Sequence, residues 1–262
     1  MGILNVTPDS FHDGGKYYSA EDAFMHAAEL EKEGADIIDI GGESSRPGAV
    51  PVCAQEEIDR ILPVLIRIKK NLNIKVSIDT VKAEVAEHCL NEGADIINDI
   101  SGFMHDKKMP EVVSRFGCEA VLMHMKGTPE NMQNNVFYEN LIEEIRFSLD
   151  KSVETALAAG IKKERIIIDP GIGFGKEVKH NYEIINSIGE FKKSGLRVLI
   201  GLSQKSLIWK LYEDKSIDRL PATIALNMIS IYNGADIIRV HDVKQHRLAL
   251  DAVEYLMETG VL

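Results

Sequence analysis

The sequence predicts a (β/α)8 barrel, and three observations support this fold class. Short runs rich in Ile and Val alternate with amphipathic stretches along the whole chain. Eight such runs occur in 262 residues, and about 250 residues is the usual length of an eight-stranded barrel. The phrase Gly-Ala-Asp-Ile-Ile occurs at positions 34–38, 93–97 and 234–238. Each copy closes a helical pattern and opens an apolar run, which indicates a repeated βα unit.

The predicted strands are short, aliphatic and bounded by Gly, Asp or Asn. Continuous apolar runs of this length are typical of parallel strands that are buried on both faces. In chain order the runs are Gly2–Val6, Asp36–Ile40, Lys75–Ile78, Asp95–Ile100, Ala120–Met123, Arg165–Ile168, Arg197–Ile200 and Asp236–Val240.

The stretches between these runs have the three-to-four spacing of amphipathic helices. The clearest are Ala20–Lys32, Gln55–Lys70, Asn140–Ala159 and Ala222–Tyr232. In the repeated phrase, the Gly is suited to the left-handed conformation just past a helix end. An open, doubly wound sheet is the alternative fold, but no Gly-rich dinucleotide fingerprint follows the first run. No linker or shift in composition divides the chain, so we expect one domain over residues 1–262.

Composition argues against several classes of function. The formal net charge is −11, so a broad basic face for nucleic acid is not expected. Three widely spaced cysteines form no metal-like pair and are typical of reduced thiols. No apolar run approaches the ~20 residues of a membrane span, and the N-terminus lacks the pattern of a signal peptide. We therefore expect a cytoplasmic protein with neither nucleic-acid nor membrane partners.

Polar side chains follow nearly every predicted strand. In this fold the catalytic groups come from the carboxyl ends of the strands, which meet at one rim, so we expect a single site there. The candidate positions are Asn5, residues 43–46, Asp79, Asn98, Asp99, Met123, His124, Asp169, Lys205, Arg239 and His241.

Two kinds of chemistry are present among these residues. Arg46, Arg239 and His241, together with Asn5, are suited to a phosphate-like anion, because Arg offers a planar fork of donors and His adds another. The two Arg-x-His side chains lie on the same face of a strand.

A second group, Asp79, Asn98 and Asp169, is rich in acceptors and suited to the NH-bearing edge of a planar aminopyrimidine. Lys205 adds a long cation that can lie over a ring. The residues alone therefore predict a barrel enzyme that joins or splits a bond between a planar heterocycle and a phosphorylated group.

Three glycine-containing segments follow strands. Residues 13–15 and 46–48 are interpreted as mobile lids. Residues 169–176, Asp-Pro-Gly-Ile-Gly-Phe-Gly-Lys, lack the spacing of a nucleotide P-loop. Their glycines indicate a tight turn and close approach to a ligand.

At these residues the chain resembles the dihydropteroate synthases of folate biosynthesis, and the resemblance runs from end to end. It rests on eight motifs, which are residues 2–11 (GILNVTPDSF), 41–49 (GGESSRPGA), 77–80 (SIDT), 97–100 (INDI), 122–125 (LMHM), 169–176 (DPGIGFGK), 203–206 (SQKS) and 239–243 (RVHDV). The resemblance implies condensation of 6-hydroxymethyl-7,8-dihydropterin pyrophosphate with p-aminobenzoate, giving 7,8-dihydropteroate and pyrophosphate. It also implies a need for Mg²⁺ and a homodimer.

The resemblance further implies a role for each matching residue. The expected catalytic set is Lys205, Asp79, Asp169, Arg239 and His241. The expected pterin pocket contains Asp79, Asn98, Met123, Asp169 and Lys205. The expected pyrophosphate site contains Asn5, Arg46, Arg239 and His241, with Asn5 also touching the metal. The expected p-aminobenzoate pocket contains Phe11, Ser45, Pro47, Phe174 and Ser206.

Four residues depart from the family pattern. Gln204 stands where the family usually has Arg, Trp209 where Gly is common, His12 for Ser and Ser45 for Thr. Without the charge and the planar donors of that Arg, we expect weaker binding of p-aminobenzoate. A Gln204→Arg change should therefore lower KM for p-aminobenzoate several-fold. Two alternatives remain, which are a pterin-dependent methyltransferase serving a corrinoid protein and a pterin-binding protein without synthase activity.

Overall fold

The computed structural model describes residues 1–7, 20–45, 48–132 and 136–259 of the chain. In this part of the chain, eight strands form one parallel sheet in sequential order. They are β1 Gly2–Asn5, β2 Ile37–Gly41, β3 Lys75–Asp79, β4 Ile96–Asp99, β5 Glu119–Met123, β6 Ile166–Asp169, β7 Arg197–Ile200 and β8 Ile237–Ile238. Each strand overlaps one of the eight predicted runs.

The last strand returns to the first. Just beyond β8, Val240 forms a parallel bridge with Gly2. The Ile3 amide donates to the Val240 carbonyl at 2.9 Å, and the Val240 amide donates to the Met1 carbonyl at 2.9 Å. This contact, together with the sequential strand order, confirms the predicted (β/α)8 barrel. A doubly wound sheet is excluded, because its strand order reverses at a switch point.

Helices connect the strands on the outside of the sheet. The helices of the described residues are α1 Ala20–Lys32, α2 Ala54–Asn71, α3 Ala83–Asn91, α4 Met109–Phe116, α5 Leu141–Ala158, α6 Val178–Asn186, α7 Ile188–Lys192, α8 Ser206–Tyr212, α9 Leu220–Tyr232 and α10 Val243–Glu258. The four clearest predicted helices correspond to α1, α2, α5 and α9. The Gly of each repeated phrase is left-handed, with φ of 97°, 89° and 106° at Gly34, Gly93 and Gly234, as predicted.

Buried apolar side chains form two separate clusters. The larger lies between the sheet and the helices and takes alternate strand residues such as Ile38, Ile78 and Ile168. The smaller fills one end of the barrel interior with Met1, Ile96, Val121, Ile167 and Leu199. Because successive strand residues point to opposite faces, residues two positions further along these strands also point into the barrel. That alternation positions the candidate site.

Among the described residues, none of the helices combines the length and the apolar character that crossing a membrane would require. The predicted lid at residues 13–15 lies outside the described residues, as do Phe11, His12, Arg46 and Pro47.

Candidate active site

The strand register brings the predicted polar residues to one end of the barrel. Gly41 is the register partner of both Asn5 and Asp79, and Asp79 is the partner of Asn98. Met123 and Asp169 are partners on the opposite side of the barrel. These side chains therefore lie at nearly the same level, beyond the apolar cluster that fills the other end.

An arginine between two carboxylates forms the centre of this group. Arg239 donates from Nε to Asp39 Oδ2 at 2.6 Å and from Nη2 to Asp79 Oδ2 at 2.9 Å. Asn98 also donates to Asp39 Oδ2, at 3.1 Å. Arg239 was expected in the pyrophosphate site. In the structure its guanidinium binds Asp79, which was expected in the pterin pocket.

Asp39 is a residue of this site that the sequence interpretation did not single out. It is completely buried, and its Oδ1 atom has no hydrogen-bond partner within the described protein. The available signal is a single charge within the apolar run Ile-Ile-Asp-Ile at positions 37–40. Only the closed barrel shows that this charge has a cationic partner, which comes from the other end of the chain.

Burial changes the protonation of these carboxyls. Desolvation by burial, opposed by Arg239 and reinforced by the negative charge of Asp39, raises the pKa of Asp79 to about 7. Desolvation also raises the pKa of Asp169. The site therefore contains carboxyl groups that exchange protons more readily near neutral pH than exposed ones do.

Lys205 follows β7 and lies against the segment after β6. Its Nζ donates to the Ile172 carbonyl and lies 4.5 Å from the centroid of the Phe174 ring. Burial lowers the pKa of Lys205 to about 8, an effect that Asp169 opposes and Arg239 adds to. Asp169 Oδ1 accepts the Gly171 amide at 2.7 Å.

His241 lies on the exposed side of the rim. Its Nδ1 is 3.0 Å from the Ser203 hydroxyl oxygen, and its backbone amide donates to that same oxygen at 3.2 Å. One hydroxyl group thus contacts both the ring and the backbone amide of His241. Ser203 therefore sets the orientation of the ring.

The remaining predicted residues are only partly described. Met123 is buried, Asn5, Ser45 and Phe174 are half-buried, and Ser206 is exposed at the first position of α8. Of the predicted positions, Phe11, Arg46 and Pro47 lie outside the described residues. The other strand-end acid, Asp99, uses Oδ1 to accept the amide and hydroxyl of Ser101, which is a turn-forming role.

Gln204 adopts a left-handed backbone, with φ of 58°. Its Nε2 donates to Asp242 Oδ2 at 2.9 Å, and its carbonyl accepts from Arg219 Nη1 at 2.8 Å. The side chain is thus directed at the residue after His241. This placement offers an acidic partner to any Arg introduced at position 204.

A half-buried lysine that the sequence interpretation missed holds the segment after β2. Lys82 Nζ donates to Glu57 Oε2 at 2.6 Å and also to Glu43. Glu57 lies on α2 and is buried. Arg60, also on α2, donates to the Gly42 carbonyl at 2.8 Å. These bonds fix the base of the segment that leads to Ser45.

The described residues contain no group of three or more His, Cys, Asp or Glu side chains placed to hold a metal ion. Asn5 offers a carboxamide oxygen at the end of β1, 3.5 Å from where a Cβ on Gly41 would lie. Mg²⁺ takes oxygen ligands and usually keeps several waters and substrate phosphates. This donor set fits a magnesium ion that is held mainly by a phosphorylated ligand.

Comparison with known proteins identifies the family. The model of the pterin binding enzyme family matches residues 1–241. The chain belongs to this family. It is 45% identical over 260 residues to the dihydropteroate synthase of Bacillus subtilis, covering 99% of this chain and 89% of that protein.

Two solved structures extend this similarity to three dimensions. The Yersinia pestis dihydropteroate synthase, solved with a sulfonamide drug complex, is 40% identical with a TM-score of 0.93, covering 98% of this chain and 93% of that one. The Clostridium difficile dihydropteroate synthase, solved in the presence of pteroic acid, is 41% identical with a TM-score of 0.91, covering 97% and 95%.

Proposed function

We propose that this pterin-binding barrel is a dihydropteroate synthase, which condenses 6-hydroxymethyl-7,8-dihydropterin pyrophosphate with p-aminobenzoate. The observation that carries the proposal is the convergence of Asp79, Asn98, Asp169 and Lys205 at the carboxyl ends of the strands. The family match over residues 1–241 and the similarity to named synthases support it.

The pterin ring would lie inside the barrel, above the apolar cluster. Carboxylate and amide groups of Asp79, Asn98 and Asp169 would bind the donors and acceptors along its aminopyrimidine edge. The nearby ammonium of Lys205 and the side chain of Met123 would line the ring. A buried acceptor that is left without its ligand costs free energy, which favours a ligand with donors at fixed positions.

The pyrophosphate would lie at the open rim, with Asn5, Arg46, Arg239 and His241. When bound, Mg²⁺ supplies stabilisation of the negative charge that develops on the departing pyrophosphate. Asn5 would contribute its carboxamide oxygen to the ion. The guanidinium of Arg239 already bridges Asp39 and Asp79. Its positive charge would reduce the repulsion between these carboxylates and the incoming pyrophosphate.

The reaction is a substitution at the methylene carbon of the pterin. The amine nitrogen of p-aminobenzoate forms a bond to this carbon, the bond from carbon to the pyrophosphate oxygen breaks, and the nitrogen loses a proton. Asp79 and Asp169 lie where they would favour positive charge on the pterin methylene. The aniline nitrogen is neutral at pH 7, so no strong general base is required.

The p-aminobenzoate would occupy the outer pocket formed by Phe11, Ser45, Pro47, Phe174 and Ser206. The Phe174 ring faces the site through its contact with Lys205. Ser45 keeps the hydroxyl of the Thr that the family usually has. In this arrangement the two substrates meet between the buried carboxylates and the Phe174 ring.

We also propose that the chain forms a homodimer and functions in the cytoplasm. Helix α9 buries the polar residues Thr223, Asn227 and Ser230, while Ile229 and Tyr232 on the same helix are about half exposed. The next helix, α10, exposes further apolar side chains, Leu248, Tyr255, Leu256 and Met257. An exposed apolar surface of this kind is typical of an interface. Light scattering on the purified protein would measure its mass in solution.

The decisive experiment measures pyrophosphate release with both substrates and Mg²⁺ present, and with each of the three omitted in turn. We expect release to require all three and to equal the dihydropteroate formed, as measured by chromatography. Pyrophosphate release without p-aminobenzoate, or no product with all three present, would contradict the proposal. Transfer of a methyl group from a methylated pterin to a corrinoid protein would instead support the methyltransferase alternative.

Asp79→Asn and Asp169→Asn test the pterin site directly. Each should weaken pterin binding, because a hydrogen bond to a charged group is worth roughly 1.5–3 kcal/mol. Calorimetry would measure the affinity, with Asp95→Asn, on a partly exposed surface ion pair with Lys69, as the control. Wild-type pterin affinity in both site variants would refute the assignment of these carboxylates.

A further inference from the structure

Lys176 is a buried lysine that the proposed reaction does not use, and burial holds its pKa well below the ordinary value. Its residue is only 3% exposed. The Nζ atom lies 2.9 Å from His124 Nδ1, 2.9 Å from the Phe174 carbonyl oxygen and 3.4 Å from the His124 carbonyl oxygen. Burial lowers the pKa of His124 to about 2, so the ring is neutral and Nδ1 accepts a hydrogen bond from Lys176.

These contacts join two neighbouring connections at the rim of the barrel. His124 directly follows β5, whereas Phe174 lies in the segment Pro170–Gly175 that follows β6, which we call the β6 loop. Lys176 directly follows that loop. Its side chain therefore binds both the loop, at the Phe174 carbonyl, and His124 at the end of the adjacent strand.

The β6 loop lies so close to its neighbour that side chains would not fit. Gly171 has φ of +71°, and a Cβ there would lie 1.9 Å from the His124 carbonyl oxygen. At Gly175, with φ of +67°, a Cβ would lie 2.6 Å from the Lys126 carbonyl oxygen. Close backbone contact of this kind brings the carbonyl groups of the two connections within reach of the one Nζ atom of Lys176.

A second bond holds the far end of the same loop. The Tyr138 hydroxyl donates to the Gly175 carbonyl at 2.9 Å. The Tyr138 ring also packs edge-on against His180 of α6, with centroids 5.4 Å apart. Tyr138 thus restrains the loop from the outside, while Lys176 restrains it from within the protein.

The loop that is held in this way carries the surface on which Lys205 rests. Ile172 supplies the carbonyl that accepts from Lys205 Nζ, and Phe174 supplies the ring 4.5 Å from it. A displacement of the loop would move both contacts together. The expected pterin acceptors Asp79, Asn98 and Asp169 lie on β3, β4 and β6 and are held by the sheet, and of these only Asp169 also binds the loop, through the Gly171 amide.

We propose that Lys176 is a positioning residue, which holds the β6 loop so that Phe174 forms the p-aminobenzoate side of the site and Lys205 stays in contact with the loop. This inference rests on the proposed synthase function. Lys176 does not touch either substrate and acts through the loop. Its loss would leave the Phe174 and His124 carbonyls without the amine between them, so the loop would no longer be fixed against β5.

The test compares Lys176→Met with the wild type, because Met has a similar length and no charge. We expect KM for p-aminobenzoate to rise about tenfold or more, the effect of losing one well-placed hydrogen bond. Pterin affinity, measured by calorimetry without p-aminobenzoate, should change by less than about threefold, which is roughly half of one tenfold step in K, because the pterin acceptors are held by strands. Lys179→Met is the matched control, because the Lys179 side chain is 76% exposed on α6.

If circular dichroism shows that the Lys176→Met variant does not fold, Tyr138→Phe gives an independent measurement. It removes only the bond to the Gly175 carbonyl, so KM for p-aminobenzoate should rise by a smaller factor with pterin affinity unchanged. Equal losses for both substrates, or no loss for either, in the folded variants would overturn the inference. An inactive wild type would instead overturn the proposed function, so the two failures are distinguishable.

Discussion

At one end of the barrel interior, Ile96, Val121, Ile167 and Leu199 fill the space with aliphatic carbon, whereas at the other end Asp39, Asp79 and Arg239 form a charged group. Both regions consist of inward-pointing residues, but the aliphatic ones lie on β4 to β7, whereas Asp39 and Asp79 lie on β2 and β3 and Arg239 directly follows β8. The aliphatic end gains stability from burial alone. At the charged end, removing the charges from water costs free energy. This cost is offset only where oppositely charged partners are correctly placed.

Stability and ligand binding therefore depend mainly on opposite ends of one barrel. A change at the aliphatic end should affect the free energy of unfolding and leave ligand affinity intact in the folded protein. A change at the charged end should alter ligand binding, protonation and stability together, because the same side chains serve all three. The following predictions test this division.

The largest effect is expected for Arg239→Met, which leaves Asp39 and Asp79 buried without their cation. Removing one partner of a buried ion pair typically costs about 3–5 kcal/mol. Denaturation in urea would measure the loss, and the double variant with Asp39→Asn should recover part of it. The control is Arg115→Met on the exposed pair with Glu87, and an equal loss in that variant would contradict the prediction.

Ile167→Ala should lower the free energy of unfolding by about 2–5 kcal/mol, because it opens a cavity among fully buried aliphatic side chains. Pterin affinity of the folded variant should remain within experimental error of the wild type. Ile66→Ala provides the comparison, since Ile66 is 43% exposed on α2. A loss of pterin affinity in the Ile167 variant would show that the two ends of the barrel are coupled.

The pH dependence of stability should reveal Asp79. Its pKa is about 7 in the folded protein against an ordinary value of 3.8, so the folded state holds a proton that the unfolded chain has released. Between these values the contribution of Asp79 to stability is therefore lost as pH rises, by at most about 1.4 kcal/mol per pH unit. Subtracting the Asp79→Asn profile isolates this dependence, and a pH-independent difference would argue against it.

The smallest effect is expected for Gln204→Arg. From the sequence we expected this change to lower KM for p-aminobenzoate several-fold. In the structure the Gln204 side chain already binds Asp242, so an Arg would pair with that carboxylate, a contact worth only ~0.2–1 kcal/mol. Because Asp242 would hold the introduced guanidinium, we expect KM for p-aminobenzoate to change by less than about twofold, which corresponds to roughly 0.4 kcal/mol. In an Asp242→Asn background the same change should lower KM further, and equal effects in both backgrounds would refute this explanation.

The distribution of apolar residues was sufficient to predict the fold. A strand such as Ile166–Asp169 is buried on both faces and is continuous in Ile up to its final Asp, and this pattern is local enough to find in the sequence. The repeated Gly-Ala-Asp-Ile-Ile phrase marks three joints at which a helix ends and a strand begins. The residues Asp79, Asn98 and Asp169 were found for the same reason, since each follows an apolar run directly.

Partners that come from distant parts of the chain were decided only by the tertiary structure. Asp39 and Arg239 are 200 positions apart and meet because the barrel closes, so no local pattern could indicate that Arg239 binds carboxylates. For the same reason, half-buried Lys82 and buried Lys176 each bind groups from a neighbouring connection. A sequence determines which side chains are available at the rim, but a direct ion pair requires a separation of at most about 4 Å, so only the closed barrel determines which charges neutralise one another.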